Sequence, residues 1–159
     1  MKFVIEQVAI FPPNAEAAME LLSAMGMDEW TTDQVAASGL VFGGDAKNVA
    51  NLNFNYQASN TANKLEFEVL EYISGRHWMA GKERRCSVSH LGMHCTNSEL
   101  IEWRKFFAER GIDVAQEVFT VSHTNPAIAE TRRYNYVIFA TKSILGVDLK
   151  FIVRWNTVE

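Results

Sequence analysis

The chain has 159 residues, 48% of them hydrophobic and 21% charged, which suffices for one well-buried core and is short for two independent domains. A formal net charge of −4 gives no electrostatic grip on a polyanion, and the one compact basic cluster is Lys82-Glu83-Arg84-Arg85, so nucleic-acid binding is not expected. No stretch approaches the roughly 18 uninterrupted apolar residues of a membrane span, and the opening Met1-Lys2-Phe3-Val4-Ile5-Glu6-Gln7 runs to Pro12-Pro13 without a long apolar segment. The expected setting is cytoplasmic, away from a membrane.

Residues 3–11 are rich in β-branched and aromatic types and stop at Pro12-Pro13-Asn14, which predicts a first strand. Asn14 can cap a helix over 15–25, whose Ala, Glu, Leu and Met content favours that state and which Gly26 ends. Residues 34–43 are apolar and broken by Gly39 and Gly43-Gly44, then 51–56 alternate polar and apolar strictly, as a half-buried strand does. A turn cluster at 59–63 leads into a second alternating run over 64–72, closed by Gly75. The first half reads β, α, β, β, β.

The second half opens with a strand over 86–95. Cys86 and Cys95 both fall on it, about 30 Å apart at ~3.3 Å per residue, too far to bridge. Thr96-Asn97-Ser98-Glu99 fits a capping box, and Leu100, Trp103, Phe106 and Phe107 form the apolar stripe of a helix that Gly111 ends. Strands over 116–123, 133–141 and 147–155 follow, the last two separated by 142–146. The order is again β, α, β, β, β.

Local matches keep that order: Leu21-Leu22-Ser23-Ala24-Met25-Gly26-Met27 with Phe106-Phe107-Ala108-Glu109-Arg110-Gly111-Ile112, and Lys64-Leu65-Glu66-Phe67-Glu68-Val69 with Asp148-Leu149-Lys150-Phe151-Ile152-Val153. A repeat of this size means that one module cannot cover its apolar sheet face alone and that two together make the core. The expected organisation is a first module over 1–75, a linker over 76–85 and a second module over 86–159, in one structural domain. The fold class is α+β, with two βαβββ modules in tandem forming an open, cup-shaped mixed sheet flanked by helices.

The paired βαβββ pattern, with Ser89-His90-Leu91-Gly92-Met93-His94-Cys95 as its most specific stretch, resembles the vicinal oxygen chelate superfamily of glyoxalase I, bleomycin-resistance proteins, methylmalonyl-CoA epimerase and extradiol dioxygenases. That resemblance implies a metal held at four cup positions, one on the first and one on the last strand of each module. On this chain they become Gln7, Glu66 or Glu68, His90 and Lys150. Two depart from the pattern: Gln7 stands where His is common, and Lys150 where Glu is expected, and an ammonium cannot ligate a metal while protonated.

Strand period puts Glu66 and Glu68 on one face of their strand and His90, Gly92 and His94 on one face of theirs. If those faces line one cup, the cluster with Gln7 suits a divalent ion such as Mn, Fe, Ni, Co or Zn, and the glutamate not bound to it, Glu66 or Glu68, could act as general base and acid. The plain alternative is a Glu66–Lys150 salt bridge across the modules, holding them in register. Further candidates for ligand contact are Asn53 and Asn55, two of three amides on one strand face; His94; Lys150; and Arg133 with Tyr136, whose guanidinium and phenol suit a carboxylate or phosphate. Among the tryptophans, Trp78 in the linker is best placed to border a ligand.

Two functional readings stay open. One is a glyoxalase-, bleomycin-resistance- or dioxygenase-like protein acting as a divalent-metal-dependent lyase, isomerase or dioxygenase. The other is a metal-free protein that binds or sequesters a ligand, its metal site degenerate at Gln7 and Lys150. Either takes a small molecule as partner, and the sequence leaves association into a homodimer open.

Overall fold

The structure, a computed structural model, describes residues 2–59, 64–80, 87–123 and 134–154. Cys86, Arg133, Trp155, the 82–85 basic cluster and most of the 59–63 turn lie outside the described residues. The elements are β1 (Gln7–Phe11), α1 (Ala15–Ala24), β2 (Thr31–Val41), β3 (Gly44–Asn55), β4 (Glu66–Gly75), β5 (Ser87–His94), α2 (Asn97–Ala108), β6 (Val114–His123), β7 (Tyr134–Phe139), α3 (Lys142–Leu145) and β8 (Asp148–Arg154). No helix of the described residues is long and apolar enough to cross a membrane.

The helix starts follow their caps. The Asn14 side chain accepts the Ala17 N–H at 3.0 Å, and Thr96 with Glu99 forms both halves of a capping box. The hairpin β2–β3 is longer than the sequence pattern shows. Its strands meet at Val41↔Gly44 across a two-residue turn in which Phe42 and Gly43 have φ of 45° and 75°. A turn with both central residues left-handed continues the strand twist, so Phe42-Gly43 reverses the chain without ending the ladder. The predicted separator at 142–146 forms the single turn α3, closed by Gly146 at φ 76°.

The strand order is β1-β4-β3-β2-β6-β7-β8-β5, closed on itself. Within each module the first and last strands are parallel, β1 with β4 and β5 with β8, and the other neighbours are antiparallel. Two antiparallel seams join the modules: β1 with β5, and β2 with β6. The second seam is where the structure departs from an open sheet, because the β2–β6 ladder, from Val41↔Gln116 to Val35↔His123, turns the cup into a barrel. Gly39 permits this: a Cβ there would stand 1.9 Å from the Glu117 carbonyl oxygen.

Two buried clusters result. Phe11, Val35, Leu52, Phe54, Leu70 and Ile152 belong to one inside the barrel, while Leu100, Trp103, Phe107, Phe139, Phe151 and Val153 belong to another that packs α2 onto the outer sheet face. Strand β8 shows the division residue by residue. Leu149, Phe151 and Val153 serve the outer cluster, which leaves Asp148, Lys150 and Ile152 to the interior.

Candidate functional site

The register of the strands builds a polar cluster inside the barrel. Gln7 on β1 lies between β4, where it pairs with Glu66, and β5, where it pairs with Gly92. Gly92 has no side chain, and the Gln7 side chain uses that room: a Cβ on Gly92 would stand 3.0 Å from Gln7 Oε1. Gln7, Glu66, Glu68, His90 and Lys150 are all buried.

The Gln7 amide organises the cluster. Its Nε2 donates to Glu66 Oε1 at 2.5 Å and to Glu68 Oε2 at 2.8 Å. With both amide protons facing carboxylates, Oε1 is left as acceptor, and it meets His90 Nε2 at 2.8 Å. The imidazole therefore carries its proton on Nε2, and Nδ1 accepts from the Ser89 hydroxyl at 3.0 Å. Burial, and after it the Lys150 ammonium, holds His90 well below the usual imidazole range, so the ring is neutral. The second Glu66 oxygen accepts the Tyr56 hydroxyl at 2.5 Å.

Lys150 reaches into the cluster from β8. Its Nζ stands 3.8 Å from Glu68 Oε2 and 4.5 Å from the centre of the Tyr136 ring, an ion pair backed by a cation–π contact. The cross-module pair anticipated between Glu66 and Lys150 forms with Glu68. Above it, Gln116 Nε2 donates to the hydroxyls of Tyr136 at 2.8 Å and Tyr72 at 3.3 Å. Burial pushes both phenols well above their ordinary range.

Little space is left. Leu70, Leu52, Ala50, Ala37 and Val35 form apolar walls, and Asn48, Glu68, His90, Lys150, Tyr72, Tyr134, Tyr136 and Trp78 the polar and aromatic remainder, of a cavity of ≈ 10 Å³. A volume of that order holds about one water.

The other predicted ligand contacts separate from this site. Asn53 and Asn55 lie on the face of β3 opposite the cavity-lining Ala50 and Leu52. Asn53 Nδ2 donates to the Val69 carbonyl at 2.9 Å, and its Oδ1 accepts from Thr32 at 2.8 Å; Asn55 bonds Gln57. Asn53 thus joins β3 to β2 and β4, and Asn55 ties the end of β3 to the loops beside it. His94 shares a strand with His90, but its Nδ1 faces Glu6 Oε2 at 3.3 Å near the surface, and burial followed by the Arg154 charge lowers its pKa against the opposing Glu6 and Glu66. Tyr72, Gln116 and Asp148 were not anticipated as site residues. Tyr72 continues the alternation Glu66, Glu68, Leu70 and could have been found from it. Nothing in the sequence marks Gln116.

No protein-family model matches the chain, and no curated protein does. Solved structures do. A Streptomyces coelicolor methylmalonyl-CoA epimerase variant in complex with 2-nitronate-propionyl-CoA is 12% identical, with 98% of this chain and 96% of that chain covered and a TM-score of 0.57. A hypothetical protein of Bacillus halodurans C-125 is 13% identical over 98% and 97%, with a TM-score of 0.53. A methylmalonyl-CoA epimerase in complex with methylmalonyl-CoA and NH4+ is 12% identical over 96% and 94%, with a TM-score of 0.52. The fold is that of the vicinal oxygen chelate proteins. At such identities the likeness speaks for the fold alone.

On the vicinal oxygen chelate fold the question is whether the cluster fits the divalent ion that the resemblance implies. Three observations say that it does not. The register pairs Gln7 with Glu66 and His90 with Asp148, and both Asp148 oxygens already accept N–H donors, from Trp78 and Lys142. Lys150, which the resemblance puts at the fourth position, is an ammonium already against Glu68. The Gln7 amide also stands between the imidazole and the carboxylates: Glu66 Oε1 and Glu68 Oε2 face its protons, and the His90 Nε2–H faces its oxygen, so these groups do not converge on a shared point. Among the described residues no group of three His, Cys, Asp or Glu side chains is arranged to hold a metal ion.

Proposed function

We propose that this chain is a metal-independent protein that binds or sequesters a small, uncharged, largely apolar molecule inside its barrel. The observation that carries the reading is the buried contact between Lys150 and Glu68, at a position where the resemblance calls for a metal ligand. That pair is already compensated. A charged ligand would have to separate it at low dielectric, which is costly, whereas a neutral ligand with one hydrogen-bonding group needs only to join the Tyr72, Tyr136 and Gln116 set. The apolar walls from β2, β3 and β4 supply the rest of the binding energy through burial.

The competing reading, a divalent-metal-dependent lyase, isomerase or dioxygenase with Glu66 or Glu68 as base, draws on the convergence of both glutamates and His90 on Gln7. Elemental analysis by mass spectrometry separates the two. Untagged protein is incubated with Mn, Fe, Ni, Co or Zn, desalted, and compared with His90→Ala. The expected result is no stoichiometric metal in either protein, together with a raised Tm when neutral aromatic and aliphatic alcohols are screened. About one ion per chain, lost in His90→Ala, would replace this reading with the metal-enzyme one.

A further inference from the structure

Trp78 does not belong to the barrel wall, yet it sits in the barrel core. Every other buried member of the interior cluster except its neighbour Met79 comes from a strand, and these two come from the turn that follows β4. An eight-stranded barrel has interior room for packed side chains or for one small ligand. Here the room is taken by a segment inserted from outside the sheet.

The way Trp78 is held resembles the way a ligand is held. The indole N–H donates to Asp148 Oδ2 at 3.2 Å, and the backbone N–H donates to Gln116 Oε1 at 3.2 Å. The ring lies edge-on to Tyr72, with centroids 6.0 Å apart, and tilted against His90, also at 6.0 Å. Asp148 is itself fixed by the Lys142 N–H on its other oxygen at 2.9 Å. Trp78 thus plugs a planar slot with an aromatic rim and a buried carboxylate at its end, and it lines the small cavity left beside it.

The segment enters through Gly75, whose φ of 91° and 2.1 Å Cβ approach to the Lys47 carbonyl oxygen admit no other residue without strain. Besides the bonds of Trp78, the Arg76 N–H donates to the Lys47 carbonyl at 3.1 Å and Asn48 Nδ2 donates to the Arg76 carbonyl at 3.2 Å. His77 stacks on Tyr72 at 3.7 Å.

We propose that the Trp78 indole is a built-in stand-in for the ligand, and that the ligand is a planar aromatic molecule bearing an N–H or O–H donor that takes over the slot and the Asp148 contact. The inference rests on the ligand-binding reading above and names its ligand class. Exchange of one planar donor for another leaves Asp148 and the aromatic rim satisfied, so the cost of admitting the ligand is confined to moving the 76–79 segment. An apolar ring without a donor would leave the buried carboxylate short of a partner.

The test uses the full chain labelled with 5-fluorotryptophan and followed by 19F NMR. Its four tryptophans are assigned by replacing each in turn with Phe, so that Trp78 is identified by elimination even if Trp78→Phe does not fold. Indole and 1-naphthol are titrated in, with naphthalene as the ring lacking a donor. The expected result is displacement of the Trp78 resonance by indole and 1-naphthol while that of Trp103, on the sheet-facing side of α2, stays put. Naphthalene should bind about tenfold more weakly, and Trp78→Phe, which keeps a ring but loses the donor, should bind 1-naphthol about tenfold more tightly than the native chain. Binding that leaves the Trp78 resonance unmoved overturns the stand-in while the ligand-binding reading survives. Failure of native chain and Trp78→Phe alike to bind any of the three overturns the stand-in, and the broader Tm screen then decides the ligand-binding reading separately.

Discussion

Gln7 has two donor protons and one acceptor on a single planar group, and each is committed: the protons to Glu66 and Glu68, the oxygen to His90. Lys150 supplies the positive charge that this carboxylate-rich interior needs. Removing it strands Glu68, which is 1% exposed, as a buried charge. Lys150→Met should therefore cost about 3–5 kcal/mol, the range for breaking one partner out of a buried pair. The double variant Lys150→Met with Glu68→Gln should recover much of that loss, because residue 68 then carries no charge to strand. Urea unfolding of the single and double variants checks it, and a neutral Lys150→Met would remove the ion pair from the account of the site. The identities of Gln7, Glu66, Glu68, His90 and Lys150 as one group were legible from strand period and the resemblance. Which glutamate pairs with Lys150 was not, since residues two apart on a strand share a face and only tertiary register separates them.

At the scale of elements, the caps and the order of strands and helices were written locally: Asn14 and Thr96 mark helix starts by their own side-chain chemistry. Thr96→Ala, which deletes one half of the capping box, should cost about 1 kcal/mol, read as a lowered midpoint in urea at unchanged slope. The β2–β6 seam was not legible. Pairing of two module edges leaves no period in either strand, and its one trace is a glycine in mid-strand, which sequence alone reads as a break. Gly39→Val places branched carbon against the Glu117 carbonyl and should open the seam at a cost of roughly 2–3 kcal/mol, in line with other overpacked sites. Hydrogen exchange tests this directly: β2 and β6 amides should lose protection first while those of β1 and β5 keep theirs. Uniform loss across all four strands would show that the seam is not a separable unit.

For the whole molecule, closure converts a cup into a barrel and shuts the polar cluster away from water, and that has a consequence for stability against pH. His90 is 1% exposed, and burial, reinforced by the facing Lys150 ammonium, lowers its pKa in the folded state. Above about pH 6.5, the ordinary imidazole value, the ring is neutral in folded and unfolded chains alike, and its titration contributes nothing. As pH falls through 6.5 the unfolded chain takes up a proton that the folded chain refuses, so the unfolded state binds more protons and stability must fall. The loss approaches about 1.4 kcal/mol per pH unit and comes to roughly 1 kcal/mol between pH 7 and 5.5 for one such group. His94 is lowered too, with Glu6 and Glu66 opposing, and being about a third exposed it adds a smaller slope of the same sign. Urea unfolding at pH 7.0, 6.2 and 5.5 should show the fall in the native chain, a flatter line in His90→Gln, and a flatter one still when His94→Gln is added. A His90→Gln line parallel to the native one would mean that the imidazole titrates normally inside the fold, and hence that water reaches it through a barrel less closed than the β2–β6 ladder implies.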